Sequence, residues 1–232
     1  MAEAGGRVAV VAGGSGLVGS ALLPLLLRAP EYARVHALSR RPLPLESGKL
    51  ANRVVRFDAP LEPQLKGVRC HDAFCCLGTT LRSAGSPAAF RAVDFNLVLA
   101  FARAALALGA ERFALVSSVR ANAESRTLYL SVKGETEQAI EALRFRSLYI
   151  LQPSLLLGLR RQHRTLELIA QPLMLALAPL LTGALAAYRP ISAAQLAAAM
   201  LGAVRSGKAG VYRYTYPALR RLASTQPEQT GL

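Results

Sequence analysis

Cysteine pairs are missing from this chain. Its three cysteines, Cys70, Cys75 and Cys76, are odd in number, and two of them are adjacent in an apolar stretch. That excludes a disulfide framework. Histidine is equally scarce, and His36, His71 and His163 lack ligand-like spacing, so no metal site is expected. Reduced, buried thiols in a cytoplasmic protein are expected instead. Acidic residues are few, 14 against 28 Lys and Arg, which leaves a formal charge of +14. Such a balance suits polyanions, acidic lipid or phosphate-bearing ligands. The basic residues are scattered, however, and the densest groups are Arg40-Arg41, Arg160-Arg161-Arg164 and Arg220-Arg221. None is interleaved with aromatics that stack on bases, so a nucleic-acid partner is not expected. The charge reads as a solvated basic surface.

A signal peptide is not expected either, because Glu3 precedes the first apolar region and a glycine turn lies inside it. Leu168 to Ala187 is twenty residues without a charge, long enough on its face to span a membrane. Pro172 and Pro179 interrupt it, and Gln171, Thr182 and Gly183 dilute it. Because proline ends or kinks a helix, residues 166–185 read as two short buried segments and no transmembrane span is expected. No internal repeat or linker divides the chain. At 232 residues and 52% hydrophobic, it is expected to form one domain over 1–232, with residues 154–220 as a small substrate-side lobe.

What is present begins at Val8-Ala9-Val10-Val11-Ala12-Gly13-Gly14-Ser15-Gly16-Leu17-Val18-Gly19. An apolar run predicts a buried parallel strand, and the glycines force a tight turn into a helix. The turn aims unpaired N–H groups, at the positive helix end, toward a diphosphate. Gly13 is expected to make the turn, Gly16 to admit the pyrophosphate, and Gly19 to let helix and strand pack. Ser15, Leu17 and Val18 complete the cradle. A glycine-rich turn without a ligand is the bland alternative.

The chain then alternates strands with helices. Arg34–Ser39 reads as the second strand and ends at Arg40-Arg41-Pro42. An acid at that end would bind the ribose 2′-hydroxyl of NAD. Arg40, with Arg41 as the alternate, suits a 2′-phosphate, so NADPH is expected ahead of NADH. Residues 42–52 read as loop and Arg53–Phe57 as the third strand, after which Asp58 either caps a turn or reaches the adenine amino group. Ala73–Leu77 is the fourth strand. Leu77, Gly78 and Thr79 at its tip are expected beside the cofactor, with hydroxyls on hand for phosphate or ribose. A long helix over Ala88–Leu108 closes at Gly109 and contains Asp94 and Asn96. Phe113–Ser118 is the fifth strand, and it ends in two hydroxyls. Tyr129 and Lys133 follow on one face of the next helix, four residues apart. A phenol is a poor acid–base group at neutral pH, and an adjacent ammonium favours its ionised form. Amphipathic packing of Tyr129, with Lys133 paired to Glu137, is the bland alternative. Arg146–Pro153 gives the sixth strand, ended by Pro153, and the helix Ala193–Val204 belongs to a helical addition at the sheet's edge. The fold class is α/β, a Rossmann-like doubly wound parallel sheet with a small C-terminal helical addition.

With these motifs on the page, the chain resembles the short-chain dehydrogenase/reductase superfamily, in its atypical NAD(P)-binding group. Within that group it is similar to bacterial relatives of the TIP-thirty/CC-three (HIV Tat-interacting protein) oxidoreductase-like proteins. Cys76-Leu77-Gly78-Thr79-Thr80 and Tyr129-Leu130-Ser131-Val132-Lys133-Gly134-Glu135 are the specific signs; Val116-Ser117-Ser118 and Gln152-Pro153-Ser154 add to them. The resemblance implies Ser118, or Ser117, as the catalytic serine, Tyr129 as proton donor, and Lys133 on the nicotinamide ribose. It implies cofactor contacts at Pro153 as well. Gln152 stands where relatives often carry arginine. The implied activity is reduction of a small or medium carbonyl compound. A regulatory, protein-binding role with bound cofactor is the alternative, and a homodimer is a further expectation.

Overall fold

The computed structural model describes residues 6–154, 156–157 and 183–225. Seven strands within them form one parallel sheet: β1 Arg7–Ala12, β2 Tyr32–Ser39, β3 Leu50–Val54, β4 Asp72–Cys75, β5 Arg112–Val116, β6 Ser147–Leu151 and, last in the chain, β9 Gly210–Tyr214. Their order across the sheet is β3-β2-β1-β4-β5-β6-β9. The direction of strand addition reverses after β3, so β1 and β4 flank the crevice where such sheets bind ligands. A separate parallel pair joins β7 Leu156–Leu157 to β8 Ile191–Ser192.

Side-chain alternation explains why the strands are apolar throughout. Ala9 and Val11 face one layer, where they meet Leu22, Leu23 and Leu26 of the helix Leu17–Arg28 and Leu196 and Met200 of the helix Ala193–Arg205. Val10 and Ala12 face the other layer, with Phe101 of the helix Val98–Ala107 and Ile140 of the helix Leu128–Glu141. Both faces are covered, so no position along the strand can be polar. Each buried leucine of the first helix contributes about 1.5–3 kcal/mol. The result is a doubly wound α/β sheet.

Three sequence expectations are corrected. The third strand is Leu50–Val54, not residues 53–57: Leu50 pairs with Val35 and Val54 with Ser39. Val54 is 58% exposed while Val55, just past the strand, is buried in the second layer, so the apolar doublet marks the strand's exit. The long helix is continuous from Pro87 to Ala107, as expected, but it is not α-helical throughout: a π-turn at Ala92–Leu97 joins Pro87–Arg91 to Val98–Ala107. Its expected stop is where the sequence places it, with Gly109 at φ 90°. The C-terminal region also contains β9, which pairs with β6 from Ser147–Gly210 to Leu151–Tyr214, ahead of the helix Tyr216–Ser224. Most of the charge-free stretch 168–187 and the arginines Arg160, Arg161 and Arg164 lie outside the described residues. Among those described, no helix is long and apolar enough to cross a membrane.

Candidate functional site

The glycine turn follows β1 directly. Gly13 has φ 85°, and a Cβ there would stand 2.6 Å from the Cys76 carbonyl, so conformation and packing both demand glycine. A Cβ on Gly19 would lie 2.2 Å from the Gly13 oxygen, which ties the helix closely to the turn. Gly16 is the helix N-cap and has no side-chain cap. Ser15 and Gly16 are exposed, Leu17 is half-buried and Val18 is buried. The turn therefore stands at the positive end of a twelve-residue helix, with exposed backbone at Ser15 and Gly16. A diphosphate fits this cradle.

The end of β2 is less committed. Ser39 Oγ donates to the Arg41 carbonyl at 2.6 Å, which fixes the backbone there. Arg40 and Arg41 are exposed and, among the described residues, make no side-chain hydrogen bond or ion pair. Asp58 is exposed too, and it accepts from Arg56 Nε and Nη2 at 3.3 and 3.2 Å. The Arg56 guanidinium holds its carboxyl below the usual carboxylate range.

Beyond β4 the structure assembles a second group. The Thr79 N–H donates to Asp94 Oδ2 at 2.8 Å, and Lys133 Nζ lies 2.7 Å from Asp94 Oδ1. Asp94 is wholly buried and Lys133 is 6% exposed. The π-turn presents Asp94 inward, and its carbonyl accepts the Thr136 hydroxyl at 2.9 Å. Gly78 is exposed above the pair. A Cβ there would be 3.3 Å from Asp94 Oδ1 and 3.6 Å from Lys133 Nζ. Burial works to lower the Lys133 pKa, but Asp94, Tyr129 and Cys75 outweigh it and hold the ammonium above its ordinary range. Tyr129 lies one helical turn earlier, half-buried, with its ring 5.6 Å from that of Phe90.

The two serines of the β5 end part company. Ser117 Oγ donates to Glu137 at 2.5 Å. Glu137 also accepts twice from Gln152 Nε2, at 2.9 and 3.1 Å, and from Arg213 Nε at 3.2 Å. Among the described residues, Ser118 Oγ makes one long contact, 3.3 Å, to the Val119 carbonyl. Lys133 thus pairs with Asp94 and not with Glu137. Pro153 is buried, and its carbonyl takes the Val119 N–H at 2.9 Å, anchoring the serine loop to the end of β6.

Asp94 and Glu137 are the residues the sequence reading gives no role in the site. A signal for Asp94 exists: it shares a helical stripe with Phe90, Val98 and Phe101, each at most 1% exposed. An acid on such a stripe must have a partner. Glu137 gives no comparable sign, since Arg213 reaches it from β9, 76 residues away.

A parallel sheet in this order, with a glycine cradle beside its reversal point, defines a Rossmann-type α/β protein. The chain belongs to the NAD dependent epimerase/dehydratase family, whose profile matches residues 9–152. It is 38% identical over 161 residues to Protein FMP52-1, mitochondrial, of Scheffersomyces stipitis, covering 68% of this chain and 71% of that one. To Protein HTATIP2 of Rattus norvegicus it is 38% identical over 165 residues, 69% of this chain and 67% of the other. Among solved structures, MoeE5 in complex with UDP-glucose and NAD superposes with a TM-score of 0.65 at 17% identity, over 95% of this chain and 82% of that one. At that identity the likeness is one of fold.

Two expectations fall here. Solved structures of this fold, MoeE5, WbmG and WbmH among them, hold NAD, which overturns the expectation of NADPH. Arg40 and Arg41 explain the misreading: two solvated guanidiniums on a chain with 28 Lys and Arg carry little information about a 2′-phosphate. The cytoplasmic expectation is overturned by the FMP52 relatives of Scheffersomyces stipitis, Debaryomyces hansenii and Saccharomyces cerevisiae, all named mitochondrial. Buried thiols are protected in any compartment; burial pushes Cys75 up to about 12.

Proposed function

We propose that the chain binds NAD(H) across the carboxyl ends of β1, β4 and β5 and acts as an oxidoreductase on a small or medium apolar carbonyl or alcohol. The observation that supports this most is the grouping beyond β4: Lys133 held by Asp94 at the strand tip, Tyr129 one turn earlier, and Ser118 at the end of β5. The Gly13–Gly19 cradle would hold the diphosphate, and Leu77, Gly78, Thr79 and Pro153 would border the rest. The bound dinucleotide supplies or accepts the hydride.

Ser118 orients the substrate oxygen by a hydrogen bond. Tyr129 gives that oxygen its proton during reduction and takes it back during oxidation. Lys133 favours the phenolate through its positive charge, an effect that the Asp94 carboxylate tempers. An ammonium has three donors, and Asp94 occupies one, so the others are available to ribose hydroxyls.

The test follows NADH consumption against a panel of aldehydes, ketones and quinones, for wild type and Tyr129→Phe. Wild type should turn over, and the variant should lose about 100-fold or more in rate with NADH affinity little changed. Full retention of turnover by the variant removes Tyr129 as the acid. A wild type that binds NADH yet stays silent across the panel makes the chain a dinucleotide-binding regulatory protein.

A further inference from the structure

Asp94 carries a feature that the hydride-transfer reading does not use. Its Oδ1 atom is buried, and the partner it meets among the described residues is the Lys133 ammonium, an ion pair at 2.7 Å. A carboxylate kept only for stability is normally surrounded by donors, since each unused lone pair in a buried site is costly. This one is placed by a π-turn, an element frequent at functional sites. The residue above the pair is an exposed glycine, so the cover between the buried pair and whatever lies over the β4 tip is backbone alone.

The charges near this point have a simple sum. The Lys133 ammonium and the Asp94 carboxylate, 2.7 Å apart, offset each other. A lone lysine there would repel an oxidised nicotinamide, which carries a positive charge, and would be indifferent to the neutral reduced ring. A neutral pair removes that bias.

We propose that Asp94 is a specificity-determining residue, whose carboxylate cancels the Lys133 charge and so sets the preference of the site between NAD+ and NADH. This rests on the reading above that Lys133 serves the nicotinamide half of the site. Asp94 is not a proton carrier in this account. It acts by its charge, through space, in a buried setting where such charges are weakly screened.

The experiment measures dissociation constants of NAD+ and NADH by calorimetry for wild type, Asp94→Asn, Lys133→Met and the double variant. Asp94→Asn leaves an uncancelled ammonium and should weaken NAD+ relative to NADH by roughly tenfold. Lys133→Met leaves an uncancelled carboxylate and should shift the ratio the opposite way. The double variant is again neutral and should restore the wild-type ratio even where both affinities have fallen. A merely structural aspartate predicts that both constants move by one common factor in each single variant, and that result overturns the proposal. If one single variant does not fold, the other against the double decides: a ratio shifted and then restored supports the charge account, and an unchanged ratio overturns it. A wild type that binds neither dinucleotide defeats the NAD-binding reading itself, a different failure from a fixed ratio.

Discussion

Two aspartates, both wholly buried, serve the two ends of β4 in opposite ways. Asp72 begins the strand and accepts five hydrogen bonds: two from Arg7 at 2.8 and 2.7 Å, two from Arg112 at 2.5 and 3.1 Å, and one from the Tyr32 hydroxyl at 2.8 Å. Asp94, beyond the strand's exit, has one backbone N–H and one ammonium. The first carboxylate is saturated and clamps β1, β2, β4 and β5 together at their amino ends. The second holds a lysine that still has donors to give. The contrast teaches which end of the sheet was closed for stability and which was left with bonding capacity, and it agrees with the tendency of open α/β sheets to bind at their carboxyl ends.

The largest expected effect belongs to the closed end. Asp72→Asn leaves two guanidiniums without their counter-charge and should cost about 3–5 kcal/mol in urea unfolding. NAD+ affinity of the folded variant should stay at the wild-type level. A cost below about 1 kcal/mol, the range of surface pairs, would break the comparison.

A smaller effect lies on β2 and sharpens the contrast by isolating a third buried group. His36 on β2 is 6% exposed, and burial, then Arg53 and Arg34, lower its pKa from 6.5 to about 4. The folded protein thus keeps His36 neutral where the unfolded chain binds a proton. Its contribution to stability is complete above pH 6.5 and is lost as the pH falls toward 4, by roughly 3 kcal/mol in all. Urea unfolding at a series of pH values should show a shallower acid decline in His36→Gln than in wild type. Parallel curves would place the acid sensitivity elsewhere.

Much of the closed framework is legible in the residues. The apolar runs at Val8–Ala12, Phe113–Val116 and Leu148–Leu151 can only be strands covered on both faces. The glycine spacing of 13, 16 and 19 announces the turn that the structure requires there. Edges and distant partners are harder. Strand β9 has the alternating sequence Val211-Tyr212-Arg213-Tyr214, yet as an edge strand it is half-exposed, so it lacks the apolar run that marks its neighbours. Of the site, the Tyr129–Lys133 pair is local and readable, because four residues make one helical turn. The choice between Ser117 and Ser118 is not local. It turns on the Glu137 carboxylate, to which separate elements bring Ser117, Gln152 and Arg213. The lysine's true partner is hidden for the same reason, since a π-turn 39 residues upstream sets the direction of Asp94. The misread dinucleotide has another cause: an exposed arginine pair looks the same whether or not it has a phosphate to hold.

The central claim is that the carboxyl end of the sheet is a dinucleotide site built on the Gly13–Gly19 turn. Its most direct test is calorimetric titration of NAD+ into wild type and Gly19→Ala, with thermal unfolding confirming that both are folded. The added methyl would meet the Gly13 oxygen at 2.2 Å and must push the turn out of place. Saturable binding by wild type, weakened roughly tenfold or more in the variant, is the predicted result. Equal affinity in the two proteins, or no binding by wild type, would contradict it.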